Sequence, residues 1–277
     1  MPREDTHCPD RTVELAADRI GATRKYRAIA RETILDVLRH EVARDAGRRP
    51  SVSLASAREA LHRVAAFYLG EPEYGRAMAE LEAARGDDPA LEASCRRILD
   101  RHVSTRERLP IMANLYRGVF ERTGAPRSVA DLAAACNPFS FRWMGLDRSV
   151  LYRAYDINAD MVRLVERYFD VEGIAGRAEL RDVLCSPPSE PADVALLLKM
   201  YHCLEHRRRG AGWEVLSRTP ARHVAVSFPS RNMRGQSADI AGNYRAEIRE
   251  RAAAAGWRTE ELGFDGEVVI LVHREVA

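Results

Sequence analysis

The sequence predicts an α/β chain in which a helical domain, residues 1–122, precedes a doubly wound, mostly parallel sheet over residues 123–277. Three observations predict it. Apolar residues recur at intervals of three and four from Thr12 to about Arg122, which is the period of a helix face. After Gly124-Ala125-Pro126 the pattern changes to short apolar runs separated by amphipathic stretches, as expected of strands alternating with helices. Hydrophobic residues make up 46% of the 277 positions, enough to fill a large core.

Taken in order, Val13, Leu15, Ala16 and Ile20 open the first helical pattern, Ile34, Val37 and Leu38 mark the second, and Leu54, Ala57, Leu61, Val64 and Ala65 the third. Breaks fall at 46–50, 70–72 and 86–89, where glycine or proline stops one helix and good starters open the next, so four or five helices are expected. Strands follow at 128–133, 150–155, 177–181, 192–198, 222–228 and 267–273, with helices at 158–170, 203–218 and 241–255. A further strand at 258–262 is expected to pair with the last one as a hairpin.

No run approaches the roughly 18 apolar residues of a membrane span, and the start MPREDTHCPDR lacks the apolar stretch of a secretion signal, so a cytoplasmic location is expected. Cys8, Cys95, Cys136, Cys185 and Cys203 include no C-x-x-C pair and read as free thiols, with no zinc site among them. A net charge of +2 does not by itself mark a nucleic-acid binder. Lys25 and Lys199 are the only lysines, leaving arginine for the rest of the 43 basic residues. So strong a skew has the look of codon bias, which lowers the weight of any one arginine cluster and raises that of the two lysines. In Ala22-Thr23-Arg24-Lys25-Tyr26-Arg27, three cations surround an aromatic; this could grip a phosphate backbone and stack on a base, or be a solvated helix start.

The stretch from Val129 to Asp156 carries the chemistry. A first strand turns at Ala134-Ala135-Cys136-Asn137-Pro138, and a second ends in Asp156. In doubly wound sheets a ligand lies across the carboxyl ends of the strands, where a terminal acid can hold ribose hydroxyls. The first loop lacks the G-x-G-x-x-G glycines that admit a pyrophosphate, which disfavours NAD and FAD and is less damaging for S-adenosylmethionine. Asp156 reads equally well as an acid capping the following helix. His202 and His206 stand at helical spacing without a further metal ligand in sight, so no metal is expected, and Cys203 reads as a packed core thiol.

Several short blocks now fall in one order. They are His102-Val-Ser-Thr-Arg-Glu-Arg108-Leu, Asp131-Leu-Ala133 with Asn137-Pro138, Asp156-Ile157, Asp182-Val183-Leu, Leu198-Lys199 with Leu204-Glu205, Val226-Ser-Phe228-Pro, and Asn243-Tyr244, with Lys25-Tyr26 and Leu61-His62 upstream. Together they resemble the aminoglycoside-resistance 16S ribosomal RNA methyltransferases that methylate N7 of guanine 1405 in the decoding site. The resemblance covers nearly the whole chain. It implies a Rossmann-like class I methyltransferase sheet with an N-terminal helical domain that docks RNA, S-adenosylmethionine as cofactor, and 16S rRNA in the 30S subunit as partner of a monomeric, cytoplasmic enzyme.

The resemblance also implies roles. Arg108 would hold the methionine carboxylate, for which a planar two-pronged donor is suited; taken alone it reads as a surface arginine pairing with Glu107. Asp156 would accept from the ribose hydroxyls with Ile157 packed on the adenine, and Asp182 with Val183 would read the adenine amino group; taken alone Asp182 is a turn acid before Pro187-Pro188. His102, Ala133, Leu198 and Lys199 complete the expected cofactor site. Phe228, Arg231 and Arg234 are expected to position the target base, with Phe228 stacking on it, and Arg24, Lys25, Arg27, Arg63, Arg231 and Arg234 to contact RNA. Guanine N7 is an in-plane lone pair, so its methylation needs no general base, and none is assigned.

This sequence departs from the family pattern in two places. Where the family reads D-x-A-C-G-L-N-P, Ala134, Ala135 and Cys136 occupy the C-G-L positions; alanine at 135 is strained if the site demands positive φ. In the basic loop after 227, Gln236 and Ile240 stand where the family has arginine and methionine. The N/D-P-P-Y/F motif of amino-methylating enzymes is absent after Leu198. Two other readings stay open at this point: a methyltransferase with a small-molecule or other RNA acceptor, and a non-catalytic RNA-binding homologue.

Overall fold

The computed structural model describes residues 9–45, 54–69, 73–230 and 239–274. It divides into two compact units, one of residues 1–72 with 157–159 and one of residues 73–156 with 160–277. The division falls after Pro72 and not at the expected 122/123 boundary.

In the first unit, helices α1 (Pro9–Gly21), α2 (Arg31–Asp45) and α3 (Leu54–Leu69) share a core of Val13, Ala17, Ile20, Ile34, Leu38, Leu61 and Ala65. The expected period is the reason: these residues fall on one face of each helix, and burying each large side chain contributes roughly 1.5 to 3 kcal/mol. Residues 22–28 are turns, not a helix start. Tyr26 is buried at 4% exposure in that core, with its hydroxyl 3.4 Å from the Arg58 carbonyl, so it has no free face to stack on a base, one of the two readings left open for this segment. The segment after the second strand belongs here as well, because Asn158 bridges to Ile29 and the Ile157 carbonyl accepts from Ala30 N at 2.8 Å.

The second unit opens with α4 (Tyr74–Ala83), α5 (Asp88–Arg101), α6 (Val103–Arg108) and α7 (Met112–Thr123). Seven helices therefore precede the sheet among the described residues, where four or five were expected. The extended backbone of His102 (φ −102°, ψ 125°) separates α5 from α6, and Pro110, which has no N–H to donate, falls between α6 and α7. The expected break at 86–89 is present: Asp87 caps α5, accepting from Ala90 N at 3.0 Å, and Pro89 fits the first turn.

The sheet has seven strands in the order β3-β2-β1-β4-β5-β7-β6. β1 (Ser128–Leu132), β2 (Leu151–Asp156), β3 (Gly176–Leu180), β4 (Ala192–Leu198) and β5 (Ala221–Pro229) are parallel; β7 (Glu267–His273) pairs antiparallel with both β5 and β6 (Arg258–Phe264). A 3-10 turn (Asn137–Trp143) follows β1, and α8 (Ala159–Glu172) follows β2. Met161, Leu164, Val165, Tyr168 and Phe169 of α8 recur at helical spacing and are buried. The expected helix 203–218 is two helices, α9 (Tyr201–Arg207) and α10 (Ala211–Arg218). Gly210 takes φ +82° between them, and the Glu205 carboxylate accepts from Gly210 N at 2.7 Å and Gly212 N at 2.8 Å, satisfying the new helix start. α11 (Asp239–Ala254) then leads into the hairpin, which turns at Gly266 (φ +78°). No described helix is long and apolar enough to cross a membrane.

Candidate functional site

The parallel strands end at one edge of the sheet, and because β7 runs the other way its first residue, Glu267, arrives at the same edge, opposite Pro229. There Glu267 meets Arg108 from α6. The Arg108 Nε lies 3.1 and 3.2 Å from the two Glu267 oxygens and Nη2 lies 2.8 Å from Oε1, with each side chain 1% exposed. Arg108 Nη1 donates to Asn137 Oδ1 at 3.0 Å. Arg108 is thus neither on the surface nor paired with Glu107. Burial opposes both charges, but Glu267 holds the guanidinium proton more firmly than usual, and Arg108 and Lys199 keep the Glu267 carboxyl below its ordinary range.

Lys199, at the end of β4, extends this cluster. Its Nζ is 2.8 Å from Glu107 Oε2 and 3.4 Å from Glu267 Oε2, and the lysine is buried while Glu107 is half exposed. His102 lies close enough that Arg108 and Lys199, after burial, depress its pKa to about 4, so the ring is neutral at physiological pH. Behind Arg108 runs a buried polar chain. Asn137 Nδ2 donates to Asp131 Oδ2 at 2.9 Å, Tyr152 OH donates to the same oxygen at 2.7 Å, and Tyr116 OH donates to Asn137 Oδ1 at 2.6 Å. Burial pushes the Asp131 carboxyl up to about 6 despite those donors and the nearby arginine.

The loop after β1 is strained. Ala133 (φ 53°), Ala135 (φ 44°) and Lys199 (φ 56°) are the described non-glycine residues with positive φ, and all three sit at this edge. Such conformations persist where surroundings hold them, and they gather at functional sites. What holds Ala135 is Asp156, whose Oδ2 accepts from Ala135 N at 2.8 Å. Asp156 is buried, and it sits at the end of β2 as expected. The Tyr74 hydroxyl near it is buried and has no hydrogen-bond partner among the described residues; burial first, and then the Asp156 charge, raise its pKa. Asp182, just beyond β3, accepts from Arg207 Nη1 at 2.6 Å and from Leu184 N at 3.0 Å, so an arginine, rather than the turn alone, engages it.

The edge therefore brings together His102, Arg108, Ala133, Asp156, Asp182, Val183, Leu198 and Lys199. Ile157 belongs to the first unit. Phe228 is a correction: it is 1% exposed in the core of the sheet, its ring 5.7 Å from that of Tyr201, and has no free face to stack on a base. β5 is covered on both faces from Val224 to Phe228, so neither side of the strand there is open to a ligand. Arg231, Arg234 and Gln236, and the side chain of Ile240, lie outside the described residues. Cys203 is a second correction: it is exposed on α9, with Sγ 3.4 Å from His202 Nε2, rather than packed in the core. Among the described residues no three His, Cys, Asp or Glu side chains cluster as metal ligands.

Comparison with known proteins decides the family, since the sequence model of the ribosomal RNA methyltransferase (FmrO) family matches residues 22–272. The chain belongs to the FmrO family. A 16S rRNA (guanine(1405)-N(7))-methyltransferase of Micromonospora echinospora is 31% identical over 273 residues, covering 97% of this chain and 99% of the relative. One from Frankia casuarinae is 32% identical over 270 residues, covering 96% and 95%. The crystal structure of the 16S rRNA methyltransferase RmtF in complex with S-adenosyl-L-homocysteine superposes with a TM-score of 0.76 at 30% identity, covering 95% of this chain and 98% of that one. The sheet of this FmrO-family chain is accordingly that of a class I methyltransferase, ending in an antiparallel hairpin. Reasoning from sequence missed Glu267, Tyr74 and the Asn137–Asp131–Tyr152 chain; the blocks at Asp131 and at Asn137-Pro138 were the only pointers toward any of them.

Proposed function

We propose that this chain is an S-adenosylmethionine-dependent methyltransferase acting on N7 of guanine 1405 of 16S rRNA, in the assembled 30S subunit, as a cytoplasmic monomer whose product confers aminoglycoside resistance. The observation that carries the reading is the state of Arg108. Glu267 and Asn137 take three of the five N–H donors of its guanidinium, which leaves two at the carboxyl edge of the sheet, beside the Lys199 ammonium. Two buried cations make direct contact with one buried carboxylate, Glu267, since Glu107 is half exposed and Asp131 is reached from Arg108 only through Asn137. An amino-acid carboxylate would balance that charge and accept the free prongs.

The remaining donors and acceptors fit the rest of S-adenosylmethionine. Asp156 and the unpartnered Tyr74 hydroxyl suit ribose hydroxyls, Asp182 and Val183 suit the adenine edge, and Ala133 and Leu198 supply backbone and apolar wall. When bound, the cofactor supplies an electrophilic methyl group. The chain's own task is to hold its amino-acid and adenosine ends still and to exclude water around them, since N7 brings its own lone pair and requires no base. His102, a weak proton acceptor with its pKa drawn down to about 4, and the ion-paired Lys199 are not poised as bases, in keeping with such chemistry.

RNA docking is assigned to the first unit and to the segment with Arg231 and Arg234. Arg24, Lys25 and Arg27 are exposed and make no ion pair among the described residues, unlike Arg63, whose Nη1 is 3.1 Å from Glu59. Unneutralised cations are what a phosphate backbone attracts.

Methyl transfer to purified 30S subunits, mapped by chain cleavage specific for N7-methylguanine, tests the reading. Modification at guanine 1405 is expected, and Asp156→Ala should weaken cofactor binding by roughly 1 to 3 kcal/mol in calorimetry. A protein that binds S-adenosylmethionine but methylates only small molecules would overturn the assignment of substrate.

A further inference from the structure

Charge also gathers at the opposite edge of the sheet, where the parallel strands begin. A cleft of about 1120 Å³ opens there, lined by Arg127, Arg153, Arg222 and Arg274 against the acids Asp147 and Asp193. The register extends this rim: Arg258 opens β6 opposite His273, the residue before Arg274, and His273 in turn lies opposite His223. Arg127 precedes β1, Arg222 is the second residue of β5, Arg258 is the first residue of β6 and Arg274 follows β7. From β1 through β4, β5 and β7 to β6 is four strand spacings, or roughly 19 Å at about 4.8 Å each.

Among the described residues, several of these arginines lack the close acid partners that many others on the unit's surface have, a condition shared elsewhere by Arg106, Arg117 and Arg209. Arg85 pairs with Glu82 and Asp170, Arg97 with Glu80, and Arg177 with Glu190. On the rim Arg127 and Arg258 are exposed and make no ion pair among the described residues. Arg222 is 58% exposed and approaches an acid only at 3.9 Å from Asp193. That carboxylate is already engaged by the backbone N–H groups of Arg127 and Ser128, at 2.8 and 3.2 Å, and Asp147 is engaged by Ser149. Arg274 donates to the Thr219 and Leu216 carbonyls, stacks 4.3 Å over the Trp257 ring, and its Nε has no partner among the described residues. Burial draws its pKa down to about 10, so it stays charged at neutral pH. Arg153 is the exception, paired with Glu190.

We propose that this rim is a second docking surface for the phosphodiester backbone of the rRNA substrate, distinct from the cations of the first unit and from the cofactor edge. It rests on the reading that the substrate is rRNA. The fit is one of charge and shape. A row of cations about 19 Å long, from Arg127 through Arg222 to Arg258, matches a strand carrying one phosphate every few ångströms; Arg127 and Arg258 have no acid partner among the described residues and Arg222 only one at 3.9 Å, while Arg274 adds charge from a guanidinium held by backbone carbonyls. Contacts of this kind position a nucleic acid without reading its sequence, so the rim is expected to set affinity and orientation on the subunit, not the choice of base.

The test is equilibrium binding of the full-length protein to purified 30S subunits at several salt concentrations, with S-adenosylmethionine affinity measured in parallel. Arg127→Glu with Arg222→Glu is expected to lower 30S affinity about tenfold or more and to flatten the slope of log affinity against log salt by about 1 to 2, while cofactor affinity is unchanged. Both side chains are exposed, and the neutral pair Arg127→Gln with Arg222→Gln covers the case in which the charge reversal disturbs folding; it should give a smaller loss of the same kind. Wild-type affinity and salt slope in the folded variants overturn the proposal while leaving the rRNA reading intact. A wild-type protein that binds no 30S subunits at low salt overturns both.

Discussion

The two edges of one sheet handle charge in opposite ways. At the carboxyl edge Arg108, Lys199 and Arg207 are almost wholly buried, and each lies against a carboxylate: Glu267, Glu107 and Asp182. At the amino edge Arg127, Arg222 and Arg258 stand in solvent with little or no acid nearby. A charge removed from water costs several kcal/mol unless a partner meets it, whereas an exposed one costs almost nothing unpaired. The first edge is therefore built as a rigid, preorganised site in which any added ligand charge is felt strongly. The second is left with a field that reaches about one Debye length into solution.

The comparison breaks most sharply at Glu267. Glu267→Ala leaves Arg108 buried without its carboxylate and should destabilise the protein by roughly 3 to 5 kcal/mol in urea denaturation; a loss under 1 kcal/mol would show that the guanidinium finds water or another anion.

The next effect depends on pH. Because the folded Asp131 carboxyl titrates near 6 against a reference of 3.8, the native state holds its proton more tightly than the unfolded chain. Its contribution is most favourable at low pH, declines as pH rises through the window from about 4 to 6, and stays at its lower level above. Asp131→Asn removes that titration, so the stability difference, variant minus wild type, should climb by roughly 2 to 3 kcal/mol between pH 4 and pH 7. A flat difference would mean that Asn137, Tyr152 and Arg108 hold the charged form better than its burial suggests.

Smaller still is the strained loop. Ala135→Gly relieves a positive φ at the cost of a more flexible unfolded chain, for a net gain of roughly 0.5 to 1 kcal/mol in the free energy of unfolding from urea denaturation. A loss there would mean that Asp156 and the surrounding contacts already accommodate the alanine. At the amino edge Arg222→Ala should change stability by no more than about 0.5 kcal/mol, sharpening the contrast with Glu267. A larger loss would place Arg222 in the structure rather than on a free surface.

Most of the architecture was legible before any coordinates. The alternating apolar runs placed all seven strands to within a residue or two, because a period of 2 or 3.6 is a local property written in consecutive side chains. Asp156 was legible for a related reason, as an acid ending a strand at the edge where such sheets bind ligands, whereas Asp182 taken alone read as a turn acid and was singled out only through the family resemblance. The misses are of another kind. The break in 203–218 depends on Gly210 adopting αL and on Glu205 reaching forward to cap α10. Phe228 was expected to stack on the target base and Tyr26 was one that could, and the burial of both follows from which neighbours close over them.

By itself, then, the sequence determined the element types, their order, the strand-end acids and, through the order of its short blocks, the family. The tertiary structure decided what Arg108 touches. Its partner Glu267 is 159 residues away and is delivered by the one strand of the sheet that runs against the other six, so no spacing in the chain announces the pair. Local periodicity sets the secondary structure, but a buried charge is matched by whatever the packed sheet brings within about 3 Å of it, and that is a property of the assembled fold.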